Sequence, residues 1–297
     1  MRKVAAVVVT YNRLMLLKEC IESLKNQALE LSHIIIVNNN SSDGTTNYLK
    51  TLKDDTQIRV VNLKENLGGA GGFNAGLKFG IEHTHDDYFW IMDDDTIPDD
   101  DALKSLINRA EFLKDDFGYL CSNVRWIDGS PSNLPKVASG WTQLLQHDLI
   151  KVTEATFVSV LTTRKNILNV GYPIADIFIW GDDTEYTLRL SRMKVSYLVE
   201  DSTVLHKSKQ RTAGLTLVSD DSERLQRYFY LIRNVMYINR KYHNTGIIRL
   251  VASHVVLANK ILLRSKNRKL MRIGILVKGF VAGMRFNPNI ESVKNED

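Results

Sequence analysis

Residues 88–95 read Tyr-Phe-Trp-Ile-Met-Asp-Asp-Asp. An unbroken apolar run of this length, without polar alternation, describes a strand buried on both faces, and three carboxylates end it. The same pattern repeats outward from this stretch. Val4–Val9, His33–Val37 and Ile58–Leu63 are apolar runs of strand length. Each is followed by apolar residues at helical spacing, in Leu14–Leu24, Thr45–Leu52 and Gly72–Ile81, and Asp101–Leu113 continues the series. Strand–helix alternation at this pitch predicts an α/β fold, a parallel sheet with helices on both faces. Ligands of such sheets bind beyond the carboxyl ends of the strands. Those ends are Thr10–Arg13, Asn38–Asp43, Glu65–Asn66 and Asp93–Asp95, and all are polar.

The pattern is less regular from Gly118 to Leu168, where strands are expected near Tyr119–Val124 and Thr156–Leu161. Asp182–Arg192 reads as a helix with an acidic start and Val195–Val199 as a strand, before a polar loop over Lys207–Thr216. From Ser222 to about Met284 the spacing is helical. This divides the chain into an α/β domain over 1–220 and a helical region over 221–297.

A chain of 297 residues with 44% hydrophobic residues can bury a core without staples, which excludes disorder and a disulfide scaffold. Cys20 and Cys121 have no metal or redox spacing and read as reduced thiols of a cytosolic protein. The net charge of +5 hides an asymmetry: residues 240–286 carry 11 Lys/Arg and no Asp or Glu, leaving a net of −6 elsewhere. Apolar residues recur beside these cations, as in Ile261, Leu262 and Leu263 next to Arg264. Such a segment suits the surface of an anionic membrane or a solvated helical cap. Nucleic acid is not expected, because no recognition motif is present and aromatics are sparse among the basic residues. The N-terminal run is broken too early by Thr10–Arg13 for a secretory leader and reads as a first strand. No stretch is apolar enough to span a bilayer. The expected location is the cytosol, at the inner face of the cell membrane.

Three consecutive carboxylates repel one another, and a divalent cation relieves that cost. Asp93–Asp95 therefore reads either as a metal–diphosphate site or as a solvated acidic turn. The cluster Gly68-Gly69-Ala70-Gly71-Gly72 follows the third strand instead of the first, with Asn74 where a last glycine should stand, so a nicotinamide cofactor is not expected. It suits close approach of backbone to a ligand, or a flexible turn. Asp182, Asp183 and Glu185 could cap a helix or supply a general base. His206 could be structural or a metal ligand. Lys207, Lys209 and Arg211 could clamp a diphosphate or simply be solvated.

Together these pieces resemble the inverting family 2 glycosyltransferases of the GT-A fold, over about residues 4–235. The matching strings are Val-Val-Val-Thr-Tyr-Asn-Arg at 7–13, Val-Asn-Asn-Asn-Ser-Ser-Asp-Gly-Thr at 37–45 and Glu-Asn-Leu-Gly-Gly-Ala-Gly-Gly-Phe-Asn-Ala-Gly at 65–76. Met-Asp-Asp-Asp at 92–95, Trp-Gly-Asp-Asp-Thr-Glu-Tyr at 180–186 and His206 complete them. The resemblance implies a three-layer α/β/α nucleotide-sugar-binding domain with a C-terminal helical extension. The glycine-rich segment and the Asp-Asp-x-Glu-Tyr string look most like galactofuranosyltransferases, with rhamnosyltransferases close. The implied donor is UDP-galactofuranose, with dTDP-rhamnose its nearest rival, and a non-catalytic nucleotide-sugar-binding module as the alternative to an enzyme. The implied acceptor is a glycan or glycolipid of bacterial surface polysaccharide synthesis, such as O-antigen. Polymerising relatives carry an extra N-terminal β domain, so transfer of one or a few sugars is expected.

The resemblance also implies roles. Thr10, Tyr11, Asn12, Arg13, Asn39, Asp43, Asn66, Gly68, Gly69 and Gly71 would bind or border the donor, together with Asp93 and Asp94. Asp93, Asp95 and His206 would hold Mn²⁺ or Mg²⁺. Asp183 would be the catalytic base, with Trp180 and Asp182 at the acceptor.

Overall fold

The computed structural model describes residues 2–208, 216–243 and 246–293. The first apolar run forms β1 (Val4–Thr10), followed by α1 (Leu14–Lys25), β2 (His33–Asn38), α2 (Thr45–Thr51) and β3 (Ile58–Asn62). Then come α3 (Gly68–His83), β4 (Tyr88–Asp93), β5 (Thr96–Pro98), α4 (Ala102–Phe112), β6 (Leu120–Trp126), β7 (Lys136–Val137), β8 (Leu149–Glu154) and β9 (Val160–Thr163). The chain continues through α5 (Arg164–Val170), α6 (Asp182–Met193) and β10 (Ser196–His206) to α7 (Tyr228–Tyr242), α8 (Ile247–Arg264) and α9 (Lys269–Arg285).

All ten strands belong to one sheet in the order β3-β2-β1-β4-β9-β6-β10-β8-β7, with β5 beside β10. Successive strand residues point to opposite faces, and this sorts the core into two layers. Val4, Ala6 and Val8 of β1 face α1 and α4, meeting Leu17, Ile21, Leu103 and Leu106. Ala5, Val7 and Val9 face α3, α5 and α6, meeting Phe73, Leu77, Ile167 and Tyr186. The architecture is three-layer α/β/α.

The expectation of a parallel sheet needs correction. β1, β2, β3 and β4 are parallel, as are β6 and β10, but β9 runs antiparallel between β4 and β6. A parallel return needs a crossover, usually a helix, and the described chain from β6 to β9 contains no α-helix. The strand expected over Thr156–Leu161 starts only at Val160, and Val195–Val199 is the first part of a strand that continues to His206.

A second correction concerns the glycines. They are the first turn of α3 and not a loop before it. A Cβ on Gly72, Gly76 or Gly80 would stand 2.5, 2.5 or 2.3 Å from Val9, Val7 or Phe89. Glycine every fourth residue therefore clears one stripe of the helix and lets it lie against the sheet.

At the C-terminal end, α9 packs on α7 through Gly279 and Gly283, which face Ile232 and Met236. Asn234 of α7 and Glu291 beyond α9 bond back to the α/β layers. α8 is different: of its 18 residues only Leu250 and Ile261 are buried.

Candidate active site

A cleft of about 720 Å³ opens beyond the carboxyl ends of β1, β4 and β10 and is closed on its far side by the first turns of α3 and α6. It falls in the range typical of small-molecule sites. Tyr11, Arg13, Asn39, Asn66, Gly68, Gly69, Asp93, Asp94, Asp95, Trp180, Asp182, Asp183 and His206 all line it. Strand ends almost two hundred residues apart in sequence thus converge.

Four expected residues do not line the cleft. Thr10 stands behind it, its hydroxyl donating to Asp94 Oδ2 at 2.7 Å. Asn12 ties the β1–α1 turn to the next loop by accepting from the Ser42 amide at 2.7 Å. Asp43 accepts from the Leu14 amide and from Thr45, so it braces the starts of α1 and α2. Burial raises the Asp43 carboxyl, but these hydrogen bonds outweigh it and leave the group below its usual value. Gly71 faces inward, where a Cβ would stand 2.4 Å from Leu67 Cβ. Asn39 lines the cleft, yet its amide is spent on the glycine turn: Nδ2 donates to Gly68 O at 2.8 Å and Oδ1 accepts from Leu67 N at 2.9 Å.

The three aspartates at the end of β4 occupy different environments. Burial raises Asp94 to about 6, although Arg13 and Thr10 pull the other way. Burial also acts on Asp95, but the contact with His206 and the charge of Arg13 prevail and hold it below its usual value. Asp93 is pushed up by burial and then by Asp95 and Asp94, and Asp182 adds to that repulsion. Arg13 Nη1 binds Asp95 Oδ2 at 2.5 Å and Asp94 Oδ1 at 3.2 Å. One guanidinium thus serves as the internal counter-charge for two carboxylates.

The donor set suits a hard divalent cation. Asp95 Oδ1 is buried without a hydrogen-bond partner, and His206 Nε2 lies 3.2 Å from it. His206 Nδ1 is engaged by Asn133 Oδ1 at 2.9 Å, the outer contact that orients a metal-binding imidazole. Adjacent ligands of an octahedral ion at about 2.1 Å stand about 3 Å apart, so the Asp95–His206 spacing fits. The expected trio Asp93, Asp95 and His206 is not gathered into a closed cage, and no such group of three occurs among the described residues. A Mg²⁺-type ion needs none, because substrate phosphates complete its coordination.

Across the cleft, Asp182 and Asp183 open α6 behind Gly181, which takes φ +100°. Burial and then Asp183 raise Asp182 to about 8. Burial raises Asp183 as well, partly offset by the amide and hydroxyl of Thr184. A carboxylate held above its usual value is a stronger proton acceptor. The preceding turn is strained, with Phe178 at φ +66° and Trp180 at φ +61°. It is clamped from α7, where Asn234 Nδ2 donates to the carbonyls of Ile177, Ile179 and Trp180 at 3.1, 3.1 and 2.8 Å.

Arg224 and Arg227 also line the cleft and were not anticipated. Burial lowers Arg227, and the charges of Arg224 and Arg13 lower it further. The available signal was Arg-x-x-Arg in Glu223–Arg227, which otherwise looks like any solvated helix start. The alternative clamp from the polar loop is not supported by Lys207, which pairs with Glu19 away from the cleft. Lys209 and Arg211 lie outside the described residues.

Comparison with known proteins adds three findings. The family model Glycosyl transferase family 2 matches residues 5–164. The poly-β-1,6-N-acetyl-D-glucosamine synthase of Staphylococcus aureus is 27% identical over 196 residues, 63% of this chain and 46% of the relative. The GalNAc(5)-diNAcBac-PP-undecaprenol β-1,3-glucosyltransferase of Campylobacter jejuni is 33% identical over 111 residues, 37% of this chain and 35% of the relative. The chain therefore spans less than half the length of either relative. Among solved structures, GalNAc-T7 with UDP, GalNAc and Mn²⁺ superposes with a TM-score of 0.58 at 12% identity, covering 86% of this chain and 54% of that one. That likeness concerns the fold alone and identifies it as GT-A.

Proposed function

The chain belongs to glycosyl transferase family 2, and on that premise we propose that it transfers galactofuranose from UDP-galactofuranose to a lipid-linked glycan, with inversion and with a divalent cation. The observation that carries the chemistry is the convergence of Asp93–Asp95, His206, Asp182 and Asp183 on one cleft, and the choice of donor rests on the resemblance of the glycine-rich and Asp-Asp-x-Glu-Tyr strings to galactofuranosyltransferases. Support for a lipid-linked acceptor comes from the Campylobacter relative, which is named for a PP-undecaprenol-linked glycan. Transfer of this kind would take place at the inner face of the cell membrane, in the synthesis of a surface polysaccharide.

In this reading Asp95 and His206, with Asp93 at the same strand end, would hold Mn²⁺ or Mg²⁺. The cation would supply positive charge to the departing diphosphate. Arg224 and Arg227 bind the diphosphate oxygens, while Tyr11, Asn66 and the Gly68–Gly69 turn border the nucleotide sugar. Asn39 acts by holding that turn, and Thr10 by orienting Asp94. Trp180 and Asp182 position the acceptor. Asp183 removes the proton from the acceptor hydroxyl as its oxygen bonds to the anomeric carbon. The bond from that carbon to the diphosphate oxygen breaks on the opposite face, and its electron pair leaves with UDP. Much of the rate comes from holding the two reactants in line.

A panel of nucleotide sugars, assayed with Mn²⁺ or with EDTA, tests the reading. UDP-galactofuranose turnover that requires metal supports it, and turnover confined to dTDP-rhamnose keeps the chemistry and replaces the donor. Both relatives are named for other sugars, so UDP-N-acetylglucosamine and UDP-glucose belong in the panel.

A further inference from the structure

The two faces of α8 have opposite characters. Leu250 and Ile261 hold one face to the protein. The other presents Ile248, Val251, Val255, Val256 and Leu263, all exposed, with Asn259 the one polar residue among them. Ile248 and Leu263 are 83% and 82% exposed and belong to a contiguous apolar stripe, the kind of patch that marks an interaction surface. Arg249, Lys260 and Arg264 fall together on one flank of this stripe, at the boundary between its apolar and protein-facing sides. The α8–α9 turn extends the surface with Lys266, Arg268 and Lys269 beside Leu270, which is 86% exposed.

We infer that this face of α8, with the α8–α9 turn, docks the protein flat onto an anionic lipid surface. An apolar stripe flanked by cations seats its side chains in the acyl boundary and its charges among lipid phosphates. Spanning is not the mode: no helix among the described residues is long and apolar enough to cross a membrane. Charge selects lipid over a second copy of the chain. Residues 240–286 carry no acidic side chain, so a symmetric contact through this face would set cation against cation. Ile261, on the protein side of α8, packs in one apolar cluster with Trp180, Leu225 and Tyr228.

The inference stands whichever sugar is transferred, and its test needs no turnover. The full chain is co-floated with vesicles of phosphatidylcholine alone or with about 30% phosphatidylglycerol, at low salt and at about 0.5 M salt. Binding to the anionic vesicles, weakened by salt, is expected. The double variant I248E/L263E and the triple variant R249Q/K260Q/R264Q are each expected to weaken binding at least about tenfold, with melting temperature and UDP affinity unchanged. Three results would overturn the inference: no binding to either vesicle by the folded wild-type protein, anionic binding that survives I248E/L263E, or a stable dimer that this variant dissociates without any vesicle binding.

Discussion

Gly68 and Phe178 meet backbone to backbone: a Cβ on Gly68 would lie 2.0 Å from the Phe178 carbonyl oxygen, and Gly68 holds φ +72°. The same carbonyl accepts from the Ala70 amide at 3.1 Å. The start of α3, at the donor side, is thus locked to the strained turn that leads into Asp182 and Asp183. Gly68→Ala meets both a forbidden backbone conformation and an immovable carbonyl. It should lower stability by at least about 2 kcal/mol, or roughly 3 °C or more in melting temperature. Gly69→Ala, whose Cβ would reach only Asp182 Oδ2 at 3.4 Å, should change stability much less. Thermal melts of both variants check the contrast.

Asn234 holds the other side of that turn through three carbonyls. Asn234→Ala removes that donor from the Ile179 and Trp180 carbonyls, while Ile177 O keeps Arg233 Nη2 and the Ile179 amide, at a cost of about 1–3 kcal/mol. If the turn positions the acceptor, acceptor KM should rise with donor KM little changed. Equal effects on both would mark Asn234 as merely structural.

The paired carboxylates of α6 predict a pH dependence. Burial and Asp183 raise Asp182 to about 8, above the value of about 4 in an unfolded chain. The stability linked to that proton is complete below about pH 4 and is lost as pH rises through about 8. Asp182→Asn never acquires the charge. Its melting temperature relative to wild type should therefore climb between about pH 5 and about pH 8.5. A pH-independent difference in melting temperature would contradict this account.

Arg224 and Arg227 line the cleft, and the charge of Arg13 acts on Arg227. Arg227→Gln and Arg224→Gln should each weaken UDP binding about tenfold, the value of one charge-assisted contact. Calorimetric titration measures this directly, and an unchanged Kd would remove both from the diphosphate site.

Much of the α/β scaffold was legible because its strands are buried on both faces. β1, β2 and β4 are uninterrupted apolar runs, and their polar ends announced the cleft. β10 was read short because Glu200, Asp201 and Ser202 break its pattern where the pairing register shifts between Val199 and Thr203. β7 escaped notice because its two residues are exposed on the sheet edge. The glycine-rich start of α3 looked like a turn, since close packing against Val7 and Val9 is a tertiary reason for glycine that no local propensity reveals. Asn133 comes from a segment without periodicity, and Arg224 and Arg227 from a helix start that looks like any solvated one, so only the fold could bring them to the cleft.

The stereochemistry of transfer tests the central claim most directly. Proton NMR of the product from UDP-galactofuranose, with wild type and Asp183→Asn side by side, reads both configuration and base. The account predicts inversion at the anomeric carbon and a loss of at least about 10³-fold in kcat for the variant, with folding and UDP binding intact. Retention of configuration, or a folded Asp183→Asn protein of nearly full activity, would contradict it.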